Sequence, residues 1–150
     1  MKDHINPAEK FSDPFVTADG SERASVALTN PKTLWFNTGT LCNITCQNCY
    51  IESSPTNDRL VYLTRADVEE FLGQLDDRKW PVTEIGFTGG EPFMNPEMIL
   101  MAEAALSAGY EVLILTNAML PMMRKSVQAG LVDLNHAGES KCETVAATKL

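Results

Sequence analysis

The residues best suited to chemistry lie in Cys42-Asn43-Ile44-Thr45-Cys46-Gln47-Asn48-Cys49, where three of the four cysteines fall within eight residues at C-x3-C-x2-C spacing. The fourth, Cys142, is far off in sequence. Thiolates select soft centres such as iron–sulfur clusters, zinc or Cu(I) over hard cations. A [4Fe-4S] cube presents four irons. Three local thiolates would hold three of them and leave one open to bind and reduce a ligand. Zinc is the alternative, with Cys142, His136 or His4 as a fourth ligand. Structural zinc usually shows paired C-x2-C knuckles or a Cys/His set, and only one C-x2-C occurs here. At this spacing both readings stand.

A second segment, Gly89-Gly90-Glu91-Pro92, begins forty residues after Cys49. Paired glycines permit close backbone approach and unusual dihedrals. Glu91 offers a carboxylate at a strand end, suited to a ligand ammonium through a charge-assisted hydrogen bond. The plain alternative is a turn with a surface glutamate.

The intervening chain has to position these segments. Residues 1–13 read as a loose lead-in. Phe15-Val16-Thr17 and Arg23 to Leu28 suggest a β-hairpin turning at Ala18-Asp19-Gly20-Ser21. Thr33 to Asn37 is β-branched, aromatic and apolar, which predicts a short buried strand running into the cysteine loop. Residues 51–62 are loop-like. Thr64 and Asp67 form a capping-box pattern ahead of Val68, Phe71, Leu72 and Leu75, an apolar helical stripe. Trp80-Pro81 ends that helix. Val82 to Thr88 predicts a second strand ending at Gly89. Asn95 is expected to cap a helix with Pro96 at its first position, closed by Gly109. Tyr110 to Leu115 predicts a third strand buried on both faces, ending at Thr116-Asn117. Pro121 to Ala129 reads as a helix stopped by Gly130. Leu131 to Leu134 could begin a fourth strand, with the remainder of 131–150 an irregular tail.

Strand and helix alternate three times, which argues for an α/β fold with parallel strands and right-handed crossovers. Sites in such folds gather at the carboxyl ends of the strands. The cysteine loop, Gly89-Gly90-Glu91-Pro92 and Thr116-Asn117 all fall there.

At 150 residues, 44% hydrophobic and 21% charged, the chain has an ordinary globular composition. A net charge of −8 does not suit nucleic acid phosphates. No apolar run approaches the roughly 20 residues of a membrane span. The polar N-terminus lacks the apolar stretch of a signal peptide. Clustered cysteines in a non-secreted protein point to metal or redox work rather than disulfides. The expectation is a cytoplasmic protein.

Cys42-x3-Cys46-x2-Cys49 together with Gly89-Gly90-Glu91-Pro92 resembles the N-terminal half of a radical S-adenosylmethionine (radical SAM) enzyme, a subgroup that includes cofactor- and peptide-maturation enzymes. The resemblance covers about residues 33–130. It implies a partial (β/α) barrel of which this chain supplies about three βα units, with 1–32, the expected hairpin included, as a lead-in. It implies that Cys42, Cys46 and Cys49 ligate a [4Fe-4S] cluster whose open iron chelates S-adenosylmethionine. Reductive cleavage of the sulfonium then yields a 5′-deoxyadenosyl radical that abstracts a substrate hydrogen. Gly89, Gly90 and Glu91 would cradle the methionine amino group, and Asn48 and Tyr50 would lie near the adenine. Thr116-Asn117-Ala118 is similar to the family's Thr-Asn-Gly, which makes Asn117 a cofactor-binding candidate. The residue before the last cysteine is often aromatic in the family, whereas here it is Asn48. An electron donor such as a flavodoxin or ferredoxin is implied, with an unknown substrate. Because later strands of the barrel are not evident, a shortened family member, or a partner chain or dimer completing the barrel, is expected. A non-catalytic zinc or iron–sulfur protein, or an inactive remnant, remains the competing reading. Cys142, His136 and the methionines at 119, 122 and 123 are expected to be incidental to the site.

Overall fold

The computed structural model describes residues 12–137 and 142–146, with side chains described to residue 135. His4 and most of the expected lead-in lie outside the described residues, as do the side chains of His136 and Cys142.

Four strands form one sheet: β1 (Thr33–Asn37), β2 (Glu84–Thr88), β3 (Glu111–Thr116) and β4 (Cys142–Ala146). Their spatial order is their sequence order, and every pair is parallel. Parallel neighbours need long crossovers. These contain α1 (Arg65–Asp77), α2 (Met98–Ser107) and α3 (Lys125–Ala137). Helix α2 packs against both α1 and α3.

The strands place alternate residues toward the helices. Phe36, Ile85, Phe87, Val112 and Ile114 meet Val68, Leu72 and Leu75 of α1, Met98, Met101, Ala102 and Ala105 of α2, and Val127 and Leu134 of α3 in one core. Burying each large side chain contributes roughly 1.5–3 kcal/mol. Phe36 stacks on Phe87 and meets Phe71 edge-on.

The other sheet face is less covered among the described residues. On β3 only Val112, Ile114 and Thr116 are buried, while Leu113 and Leu115 are half-buried. The expectation of a strand buried on both faces is therefore corrected: the helices cover one side. The expectation of a buried β1 is corrected too: only Phe36 is buried on it, and Trp35 lies on the open face, 44% exposed. Its ring covers Gly86, its partner in the β1–β2 register, so closely that a Cβ there would meet it at 2.4 Å.

Helix α1 begins as its sequence predicts. The Thr64 hydroxyl accepts from Asp67 N at 3.2 Å, and the Asp67 carboxylate accepts from Thr64 N at 2.8 Å. Helix α2 ends on Gly109 at φ +91. Its start differs from expectation: Asn95 and Pro96 precede the helix, which opens at Met98.

Helix α3 differs more. Residues 120–123 form a turn, and the helix runs from Lys125 straight through Gly130 to Ala137. Gly130 is a contact point rather than a stop, since a Cβ there would meet Ile99 at 2.8 Å. Leu131 to Leu134 thus belong to the helix, and the fourth strand forms further on, opening at Cys142. The segment expected as an irregular tail carries half a helix and a strand. The expected N-terminal hairpin is reduced to one antiparallel bridge, Val16 to Glu22, closed around Gly20.

Candidate functional site

The strand ladder continues beyond the ends of β1 and β2. Thr38 N donates to Thr88 O at 2.8 Å, Gly90 N to Gly39 O at 2.9 Å, and Glu91 N to Leu41 O at 3.0 Å. The segment entering the cysteine loop therefore runs hydrogen-bonded alongside the turn from Thr88 to Glu91. Such pairing demands glycine. Gly39 and Gly89 hold φ of +135 and +136, a region that side chains rarely adopt. A Cβ on Gly90 would stand 2.1 Å from the Leu41 carbonyl oxygen, and one on Gly89 would stand 2.7 Å from that of Gly39.

Glu91 is 2% exposed. Its Oε1 accepts from Phe93 N at 3.1 Å and from the Thr116 hydroxyl at 2.8 Å, and its Oε2 accepts from Asn117 N at 2.9 Å. The expectation of a carboxylate standing open at the rim is corrected. The side chain turns inward and ties the end of β2 to the end of β3, because buried carboxylates must be hydrogen-bonded.

Asn117 completes the junction. Its Nδ2 donates to Asn43 Oδ1 at 2.9 Å and to Cys42 Sγ at 3.7 Å. The structure thus brings Cys42, Asn117 and the Gly89–Glu91 turn together at three neighbouring strand ends.

Cys42 is buried, and Cys46 and Cys49 are half-buried, all as free thiols. Cys42 N donates to Ser54 O at 3.1 Å and Cys49 N to Cys46 O at 3.3 Å, which folds the loop back on itself. Ser53 N donates to Cys49 Sγ at 3.3 Å. Burial pushes the Cys42 thiol up, opposed by the N–H of Ile44 and reinforced by the charge of Glu91. At Cys49 burial also pushes upward, but the N–H groups of Ser53, Ile51 and Glu52 and the Ser53 hydroxyl together outweigh it and the thiol is lowered.

These residues fit an iron–sulfur cluster. The donor set is three thiols, two of which already accept N–H donors on sulfur, as metal thiolates commonly do. Ser53 Oγ is buried beside Cys49, whose thiol it helps to lower. Among the described residues, no three Cys, His, Asp or Glu side chains converge tightly enough to hold one metal ion.

Asn48 and Tyr50 stand apart. Both are exposed, Tyr50 by 75%. Neither side chain is hydrogen-bonded to the junction among the described residues. Two positions escaped the reading of the sequence. Asn95, expected as a helix cap, is 3% exposed, and its Nδ2 donates to Thr38 O at 3.1 Å and Leu63 O at 2.7 Å. It fastens the loop before α1 to the end of β1. Buried Thr40 accepts from Leu60 N at 3.2 Å. Only the polar run at the strand end hinted at either.

A parallel sheet ending in a three-cysteine loop braced by Gly-Gly-Glu defines a class, and the comparisons agree. The radical SAM superfamily model matches residues 36–142, and the chain belongs to that superfamily. Among curated proteins it is similar to YydG of Bacillus subtilis (strain 168), named for peptide biosynthesis, with 26% identity over 105 residues. Among solved structures it is similar to SuiB of Streptococcus suis. With S-adenosylmethionine bound to SuiB the TM-score is 0.55 at 26% identity over 67% of this chain. With the precursor peptide SuiA bound it is 0.57 at 26% identity over 69%. The chain spans 32% of YydG and 22% of SuiB. Among the described residues no helix is long and apolar enough to cross a membrane.

Proposed function

We propose that this chain is the cofactor-binding portion of a radical SAM enzyme that acts on a peptide. Cys42, Cys46 and Cys49 would hold a [4Fe-4S] cluster that works together with S-adenosylmethionine. Together these groups supply one-electron cleavage of the sulfonium and, through it, hydrogen abstraction from the substrate. The backbone of Gly89 and Gly90 receives the methionine amino group, and Glu91 holds that turn from beneath. Asn48 and Tyr50 remain candidates for the adenine edge, by backbone more than side chain. Residues 33–130 form the core of a partial (β/α) barrel, and the remainder of α3 and β4 extend it. The electron comes from a donor such as a flavodoxin or ferredoxin in the cytoplasm. Further barrel strands, or a partner chain, cover the open sheet face.

The observation that carries this reading is the junction of Cys42, Glu91 and Asn117 at three adjacent parallel strand ends. Support for a peptide substrate comes from the SuiB complex with its precursor peptide and from the name of YydG. The test is electron paramagnetic resonance on the anaerobically reconstituted, reduced protein. A [4Fe-4S]⁺ signal that changes with S-adenosylmethionine is expected, and it should be lost in Cys42→Ser, Cys46→Ser and Cys49→Ser. A colourless protein that takes up zinc and no iron would sink the proposal.

A further inference from the structure

We infer that Asn117 is a positioning residue that sets the reduction potential of the cluster through Cys42, rather than a contact to S-adenosylmethionine. The inference rests on the cluster assignment above. Its geometric basis is a division of labour within one residue. The backbone N–H of Asn117 donates to Glu91 Oε2 at 2.9 Å, which serves the frame. Its side-chain Oδ1 accepts from Met119 N at 3.0 Å. That bond fixes which side of the amide is the oxygen, so Nδ2 must face the cysteine loop. An amide carries two N–H donors. One goes to Asn43 Oδ1 at 2.9 Å, and the other is free for Cys42 Sγ at 3.7 Å. The side chain is thus clamped on both flanks with its remaining donor aimed at sulfur.

Hydrogen bonds to the sulfurs of an iron–sulfur cluster, together with net charge and exposure, set its potential. A donor stabilises the reduced state, which carries more negative charge on sulfur, and so raises the potential. Cys42 is the buried member of the three. There water does not compete for the sulfur, and a neutral donor has its largest effect. Cys49 takes its donor from the backbone of Ser53, which substitution does not remove. At the buried sulfur, Asn117 is therefore the side chain through which the potential is set.

The experiment is a redox titration of the reconstituted wild type, Asn117→Ala and Asn117→Asp, followed by the [4Fe-4S]⁺ resonance. Both variants keep the backbone N–H to Glu91. Asn117→Ala removes the donor, and Asn117→Asp keeps the shape while replacing the donor with a negative oxygen. The expected result is a fall of about tenfold in the reduction equilibrium for Asn117→Ala, about 59 mV for one electron, and a larger fall for Asn117→Asp. Cluster content should stay near that of the wild type. Unchanged midpoints in both variants, with a wild type that loads and responds to S-adenosylmethionine, would overturn this inference alone. So would loss of cluster from both variants, since Asn117 would then be a requirement for folding the loop. A wild type that takes up no iron overturns the functional proposal and this inference together.

Discussion

Glu91 accepts the backbone N–H of Asn117 through Oε2 at 2.9 Å, across 26 residues of chain. The same carboxylate takes the Thr116 hydroxyl and the N–H of Phe93 on its other oxygen. Three donors from two segments converge on one buried group, so its loss would leave all three unpaired. Glu91→Gln keeps the size but turns one acceptor into a donor facing a donor. An unsatisfied buried group costs about 1–3 kcal/mol. The expected outcome is a lower urea midpoint with little change in m-value. Wild-type stability in Glu91→Gln would show that the carboxylate is not the tie between β2 and β3.

Two of the glycines that touch their neighbours should respond differently. At Gly90 a new Cβ meets the Leu41 carbonyl oxygen at 2.1 Å, which is backbone and cannot step aside. At Gly86 it meets the half-exposed Trp35 ring, which can. Overpacking typically costs about 1–3 kcal/mol. Gly90→Ala is expected at or above the top of that range, with iron uptake impaired, and Gly86→Ala toward the bottom. Equal denaturation midpoints for the two would refute the tight pairing at the cysteine loop.

Ala118 occupies a left-handed conformation, φ +55, where related sequences are expected to carry glycine. A left-handed conformation costs an L-residue about 1–2 kcal/mol, against which glycine loses about 0.5–1 kcal/mol more entropy on folding. Ala118→Gly should therefore stabilise the chain by roughly 0.5 kcal/mol. Thermal unfolding checks this, and a lowered midpoint would contradict it.

The start of α1 gives a prediction on pH. Hydrogen bonds from the Thr64 hydroxyl and N–H hold the Asp67 carboxyl below its ordinary 3.8. A depressed carboxyl stabilises the fold above its unfolded pKa, and the gain is lost as pH falls through the folded one. The acid limb below about pH 4 should thus be less steep in Asp67→Asn than in wild type. At neutral pH, Thr64→Ala should cost about 1 kcal/mol. Identical acid limbs would remove Asp67 from the account.

Much of this was readable in advance where local rules decide. The alternation of strands and helices, the capping box at Thr64 and the closing glycine at 109 depend on neighbours in sequence, and they formed as predicted. Gly130 did not act as a stop, because its role is set by Ile99 on another helix. Asn95 looked like a cap, and its Oδ1 does accept from Glu97 N at 2.9 Å, yet its Nδ2 also serves Thr38 and Leu63, more than thirty residues away. Glu91 is the sharpest case. A carboxylate after two glycines reads as a surface group, and only the third strand, arriving with Thr116 and Asn117, buries it. The cysteine spacing by itself left a cluster and zinc both standing, and the Gly89-Gly90-Glu91-Pro92 segment at the next strand end was what favoured the cluster.

Trp35 gives the open sheet face an optical voice. Its indole lies flat over Gly86, 44% exposed, two residues before the strand end that leads to the cysteines. The second tryptophan, Trp80, precedes β2 and lies at the other end of the strands. Whatever settles on the face, whether further strands, a partner chain or a peptide, must displace water from the Trp35 ring. Its emission should then move to shorter wavelength, so that coverage of the sheet can be followed by fluorescence with Trp80→Phe as the background and no label attached.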